Sequence, residues 1–98
     1  MTVIGSDVIP RLPDVVLYGK PGCHLCETAY ETLVRVQQTE PFELTVVNIL
    51  TDPDIFAEYA EAIPVVVVAG KQFCRYRVDE ARFIECLQEV NNHYASPS

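Results

Sequence analysis

Two cysteines three positions apart, Cys23 and Cys26 in "YGKPGCHLCETA", are the residues of this chain whose type and spacing carry the most chemistry. They fall where a β-branched and aromatic run, "DVVLYG" from Asp14 to Gly19, gives way to a helical pattern. A cysteine at the start of a helix meets unpaired backbone N–H groups and the positive end of the helix dipole, and both stabilise an anion. A thiolate is such an anion. In Cys-x-x-Cys motifs so placed, the first thiol's pKa drops from about 8.5 to roughly 3.5–7.5, which makes it a nucleophile at neutral pH. Cys26, one turn further in, lies beside it. The pair can close and open a disulfide with little backbone movement, Cys23 attacking and Cys26 resolving a mixed disulfide.

The surrounding residues admit more than one reading. Lys20 is either an ordinary solvated lysine or a cation that supports the thiolate and pairs with a substrate carboxylate. His24, between the thiols, favours the thiolate if charged and is otherwise simply hydrated. A Cys-x-x-Cys pair is also half of a zinc site, but eleven residues separate Cys74 from Cys86, against the two to four such a site uses. Two inert buried thiols are the remaining alternative, and the polar turn of Lys20, Pro21, Gly22 and His24 argues for exposure instead. Cys86 follows Phe83 by three residues on the apolar side of a helix, and Cys74 alternates with Tyr76 and Val78 away from Arg75 and Arg77. Both read as small core residues.

The elements that must position the thiols are legible in the rest of the chain. At 98 residues, 49% hydrophobic and 21% charged, it suits one domain with its own core. A net charge of -7 argues against a nucleic-acid backbone or an anionic membrane as partner. The longest apolar run, "IPVVVVA", is far short of the about 20 residues a spanning helix needs. "MTVIGSDVIPRLP" lacks the basic start, apolar stretch and cleavage site of a secretory signal, so a cytoplasmic protein is expected. Four cysteines are also too sparse for a disulfide-stapled miniprotein of this length. The organisation expected is a flexible leader over 1–13, a domain over 14–94 and a tail over 95–98.

After the first strand, Leu25, Ala29, Leu33 and Val36 recur at helical spacing, with Glu31 and Arg35 placed as an i, i+4 pair on the other face. Pro41 stops that helix, and "FELTVVNI" opens a second strand with Phe42, Leu44 and Val46 alternating. "TDPDIFAEYA" predicts a short helix with Asp52 as N-cap, Pro53 at its first position and Ile55, Phe56 and Tyr59 turned inward. Val65 to Val68 read as a buried strand, Gly70-Lys71 as a turn into a fourth strand, and Phe83, Ile84, Leu87 and Val90 as the stripe of a last helix from about Asp79 to Tyr94. The order is βαβαββα. A right-handed crossover makes the first two strands parallel, so the expected α/β architecture is a mixed four-stranded sheet with helices on both faces.

With that order, "YGKPGCHLC" after the first strand and "IPVVVVAGK" opening the hairpin, the chain resembles small glutaredoxin-like proteins of the thioredoxin-fold superfamily over roughly residues 14 to 90. The resemblance implies a thioredoxin-like fold and a thiol-disulfide oxidoreductase acting on protein or low-molecular-weight disulfides. It further implies a cis Ile63-Pro64 bond, with Ile63 and Pro64 as a platform for an extended substrate. Glutathione-binding relatives carry a Gly-Gly-x-Asp turn after the hairpin. This chain has "CRYRVDE" there, with Asp79 near the acidic position, and it has no Trp ahead of the cysteines. No resident cofactor is expected, and glutathione stands beside a thioredoxin-reductase-type system as candidate reductant. The alternative kept open is a non-catalytic binding module whose thiols hold a partner, a metal or an iron-sulfur cluster shared between two chains.

Overall fold

The computed structural model of the protein describes residues 12–95, so most of the expected leader and all but the first residue of the expected tail lie outside the described residues. The elements are β1 (Asp14–Gly19), α1 (His24–Gln37), β2 (Glu43–Asn48), a 3-10 turn (Ile49–Thr51), α2 (Pro53–Tyr59), β3 (Val65–Val68), β4 (Lys71–Arg75) and α3 (Glu80–Ala95). The sheet runs β2-β1-β3-β4, parallel between β1 and β2 and antiparallel elsewhere. It is the mixed four-stranded α/β sheet that the sequence predicts. Among the described residues, no helix is long and apolar enough to cross a membrane.

Period-2 alternation in β1 sends Val15, Leu17 and Gly19 to one face and Val16 and Tyr18 to the other. The first face meets α1 through Ala29, Leu33 and Val36 and α3 through Phe83 and Leu87, all buried in one cluster with Val66 and Val68 of β3. Each Val, Leu or Phe side chain among them contributes about 1.5–3 kcal/mol by leaving water. Phe83 anchors the cluster between Phe42 and Phe73, edge-on to both at centroid distances of 5.4 and 5.7 Å. On the second face Tyr18 packs against Tyr59 of α2, with ring centroids 4.6 Å apart. That contact places α2 across the sheet from α1 and α3.

Several local expectations are corrected. Cys26, not Leu25, completes the buried stripe of α1; Leu25 is 42% exposed. At about 100° per residue the two flank the stripe's centre almost equally, so periodicity cannot choose between them. The end of β1 passing beneath Cys26 makes the choice. Arg35 bonds Glu80 of α3 across the helix pair at 2.8 Å rather than Glu31 on its own helix. Asp52 caps α2 as expected, accepting from the backbone N–H groups of Asp54 and Ile55, yet no residue of α2 is buried and Phe56 faces solvent. A helix of two turns over one corner of a sheet cannot enclose a whole apolar side.

The β3–β4 connection also shifts. Its turn residues are Ala69 and Gly70, with φ of 51° and 83°, because Lys71 already pairs with Val68. Past the turn the ladder matches Val67 with Gln72 but Val66 with Cys74, leaving Phe73 as the extra residue of a bulge. The bulge lets Phe73 and Cys74, neighbours in sequence, both pack on the core. Tyr76, expected to point inward, is 49% exposed and has a left-handed φ of 68°.

Candidate active site

β1 ends at Gly19, and the chain turns through Lys20, Pro21 and Gly22 before α1 begins. Gly22 has φ of +82°, a conformation that costs a residue with a Cβ about 1–2 kcal/mol. This turn brings Cys23 to the N-cap of α1 with extended backbone angles, and its N–H donates to the Lys20 carbonyl at 3.3 Å. The Cys23 sulfur accepts the backbone N–H of Cys26 at 3.2 Å, as an N-cap oxygen would. The Cys23 carbonyl accepts from Glu27 N–H, opening the helical ladder. Cys23 and Cys26 lie in disulfide distance of each other, with Cα atoms 5.2 Å apart.

The two sulfurs differ in access. Cys23 is half-buried at the helix tip, whereas Cys26 is 7% exposed and continues the core stripe of α1. Its tightest neighbour is Gly19: a Cβ there would stand 3.0 Å from the Cys26 sulfur and 3.1 Å from its Cβ. Gly19 is thus part of the site, letting β1 pass under the second thiol. The sequence showed it only as the end of a strand.

The sheet sets the flanks. Gly19 pairs with Asn48 on β2, and the Tyr18–Val65 pairing of β1 with β3, continued one step, brings Pro64 beside Gly19. The Ile63–Pro64 peptide is cis, Pro64 is buried and Ile63 half-buried. Pro64 gives its carbonyl to Tyr76 N–H at 2.8 Å, and the Tyr76 hydroxyl donates to the Glu61 carbonyl at 3.0 Å. Tyr76 therefore ties the loop before β3 from both ends, a role its place in an alternating run concealed.

Lys20 and His24 are exposed, and the His24 ring nitrogen is 4.0 Å from Glu27. Asp79 accepts from Arg82 N–H at 3.2 Å, capping α3. Cys74 and Cys86 stand apart from the dithiol on β4 and α3, half-buried against the core. Burial pushes the Cys74 thiol up to about 11 and raises that of Cys86, where Glu89 adds to the effect. Among the described residues, no three or more potential ligands gather as a metal site.

Residues 14–88 match the family described as Glutaredoxin-like domain (DUF836). The chain belongs to this family. The glutaredoxin-like domain is similar to protein Ne2328 from Nitrosomonas europaea, whose solution structure is 33% identical, superposes with a TM-score of 0.69, and is matched over 82% of this chain and 94% of that one. Uncharacterized protein Rv0508 of Mycobacterium tuberculosis is 27% identical over 75 residues, 71% of this chain and 77% of the relative. A mutant thioredoxin from Halobacterium salinarum shares the fold at 12% identity, with a TM-score of 0.62 over 98% of this chain and 83% of its own. The glutaredoxin-like domain thus carries its Cys23–Cys26 pair on a thioredoxin-like scaffold.

Proposed function

We propose that the protein is a thiol-disulfide oxidoreductase that reduces protein or low-molecular-weight disulfides through Cys23 and Cys26. The observation that carries this reading is the Cys23 sulfur at the N-cap of α1, hydrogen-bonded by a backbone N–H, with the Cys26 sulfur behind it. A backbone N–H aimed at sulfur and the dipole of a 14-residue helix both favour the thiolate over the thiol. The Cys23 thiolate attacks one sulfur of a substrate disulfide, forming a mixed disulfide and expelling the other sulfur as a thiolate. Cys26 then loses its proton and attacks the Cys23 sulfur. The second substrate thiolate leaves, and the two electrons that have reduced the substrate disulfide to two thiolates come from the dithiol, now oxidised to the Cys23–Cys26 disulfide.

Lys20 supports the negative charge at the turn, and the backbone at Ile63 and Pro64 receives the substrate chain. Pro64 has no N–H of its own to compete for that pairing. Two external thiols return the disulfide to the dithiol. Glutathione and a thioredoxin-reductase-type system are the two donors to compare, and a reducing cytoplasmic setting suits this direction.

Turnover of a small disulfide, coupled to NADPH through either glutathione with its reductase or a thioredoxin reductase, tests the proposal. Cys23→Ser is expected to abolish activity with both donors, while Cys26→Ser accumulates the mixed disulfide. Equal turnover by wild type and Cys23→Ser would refute the assignment.

A further inference from the structure

A groove of about 500 Å³ opens beside Cys26, between α1 and the outer strand of the sheet. Its floor is Leu17, Gly19 and Cys26, and its apolar walls are Tyr30 of α1 and Val46 of β2. Both wall side chains face solvent, at 46% and 54% exposure. Single exposed apolar residues need no explanation, but two facing each other across a groove that reaches a candidate catalytic sulfur form a continuous apolar surface.

Two further features of this place specify what fits it. Among the described residues β2 pairs with β1 alone, so the opposite row of its backbone N–H and C=O groups, along Glu43–Asn48, has no strand partner. Such an edge is a template for an added strand. The α1 rim is acidic: Glu27 and Glu31 line the groove, on a chain of net charge -7, with Lys20 at the far end by the turn. An apolar slot with an open backbone edge and a carboxylate rim is complementary to an extended, basic, partly apolar peptide.

We infer that this groove docks an extended segment of a partner protein. The segment pairs with the free edge of β2, inserts an apolar side chain between Tyr30 and Val46, and sets a Lys or Arg two residues away, on the same face of the strand, against Glu27 and Glu31. Its identity as a redox target rests on the oxidoreductase reading; the docking itself does not. The segment lies on the β2 side of Gly19, whereas Ile63 and Pro64 lie on the β3 side. A partner is then gripped on both flanks of the dithiol.

The test uses the ¹⁵N-labelled full chain and the peptide acetyl-Thr-Lys-Val-Leu-Lys-Thr-amide, followed by amide chemical shifts. Saturable shifts are expected at Tyr30, Val46, Val47 and Asn48, with half-saturation on the order of 1 mM or tighter. Replacing both peptide lysines by glutamate is expected to weaken binding roughly fivefold or more, the scale of two exposed ion pairs. Val46→Glu, at an exposed position, is expected to remove the shifts. Four outcomes would overturn the inference: no shifts at several times that concentration, shifts confined to the Ile63–Pro64 flank, the same shifts produced by raising protein concentration alone, or contacts from residues 1–11 filling the groove. The alkylation profile of Cys23 on the same sample separates the two claims. An ordinary thiol there ends the redox reading and leaves the groove result standing.

Discussion

Replacing Gly19 by alanine probes the closest contact in the site. The new Cβ would sit 3.0 Å from the Cys26 sulfur and 3.1 Å from the Cys26 Cβ, against about 3.5–4.0 Å for relaxed carbon contacts. Relief requires Cys26 to retreat by several tenths of an ångström. Cys26 is held by its N–H bond to the Cys23 sulfur and by a helix whose Ala29, Leu33 and Val36 are seated in the core, so retreat means tilting α1. Overpacking of this kind costs roughly 1–3 kcal/mol, offset by about 0.5–1 kcal/mol for removing a flexible glycine from a strand. The balance is a loss of about 1 kcal/mol, or roughly 4–8 °C in midpoint for a domain of this size. Thermal and urea unfolding under reducing conditions measure it, so that no disulfide enters the comparison. Cys26→Ala removes the sulfur and leaves the Cβ contact, so Gly19→Ala is expected to cost less in that background by about 0.5 kcal/mol or more, a coupling that a double-mutant cycle isolates. A neutral or stabilising Gly19→Ala, or an equal cost in both backgrounds, would refute the packing argument.

Ala69 holds a φ of 51° at the hairpin turn, so Ala69→Asn, which tolerates that region, is expected to stabilise by about 0.5–1 kcal/mol; an unchanged urea midpoint would contradict this. The alkaline limb of stability is expected to depend on Cys74. Its folded thiol is pushed up to about 11 from 9.0, so both states are protonated below pH 9. Between 9 and 11 the unfolded thiol ionises while the folded one keeps its proton, so unfolding releases a proton and stability falls as pH rises. Cys74→Val should flatten that decline, and parallel curves for the two proteins would rule the cause out. The raised Tyr59 phenol, caused first by burial, acts in the same direction in both proteins and leaves their difference intact.

The sequence revealed those parts of the fold that rest on local pattern and turn chemistry. Asp14 to Gly19 forms one strand because its β-branched and aromatic run supplies apolar side chains to both faces, Val15 and Leu17 on one and Val16 and Tyr18 on the other, and Asp52-Pro53 starts a helix because an aspartate oxygen can satisfy the N–H groups that open it. The Cys-x-x-Cys at a helix tip was legible for the same reason. What escaped was decided by contacts distant in the chain. Leu25 and Cys26 were equivalent by period, and only the strand beneath selected the cysteine. The bulge at Phe73 and the left-handed backbone of Tyr76 broke an alternation that Cys74, Tyr76 and Val78 had suggested. Arg35 chose Glu80 from 45 residues away over Glu31 on the next turn, since a neighbouring helix brought a better-placed carboxylate. The groove between Tyr30 and Val46 had no signature in the sequence, because its walls come from separate elements; the alternation of Phe42, Leu44 and Val46 set Val46 on the covered face of β2, yet it is 54% exposed at the sheet edge.

The proposed reaction requires that the helix N-terminus hold the Cys23 sulfur as a thiolate at neutral pH. The most direct measurement of that requirement is the rate of Cys23 alkylation by iodoacetamide as a function of pH in the reduced protein, read by mass spectrometry of the modified peptide. A rate midpoint well below about 8.5, with Cys74 and Cys86 reacting far more slowly, is the result predicted. A midpoint at or above the value of an ordinary thiol would contradict the account.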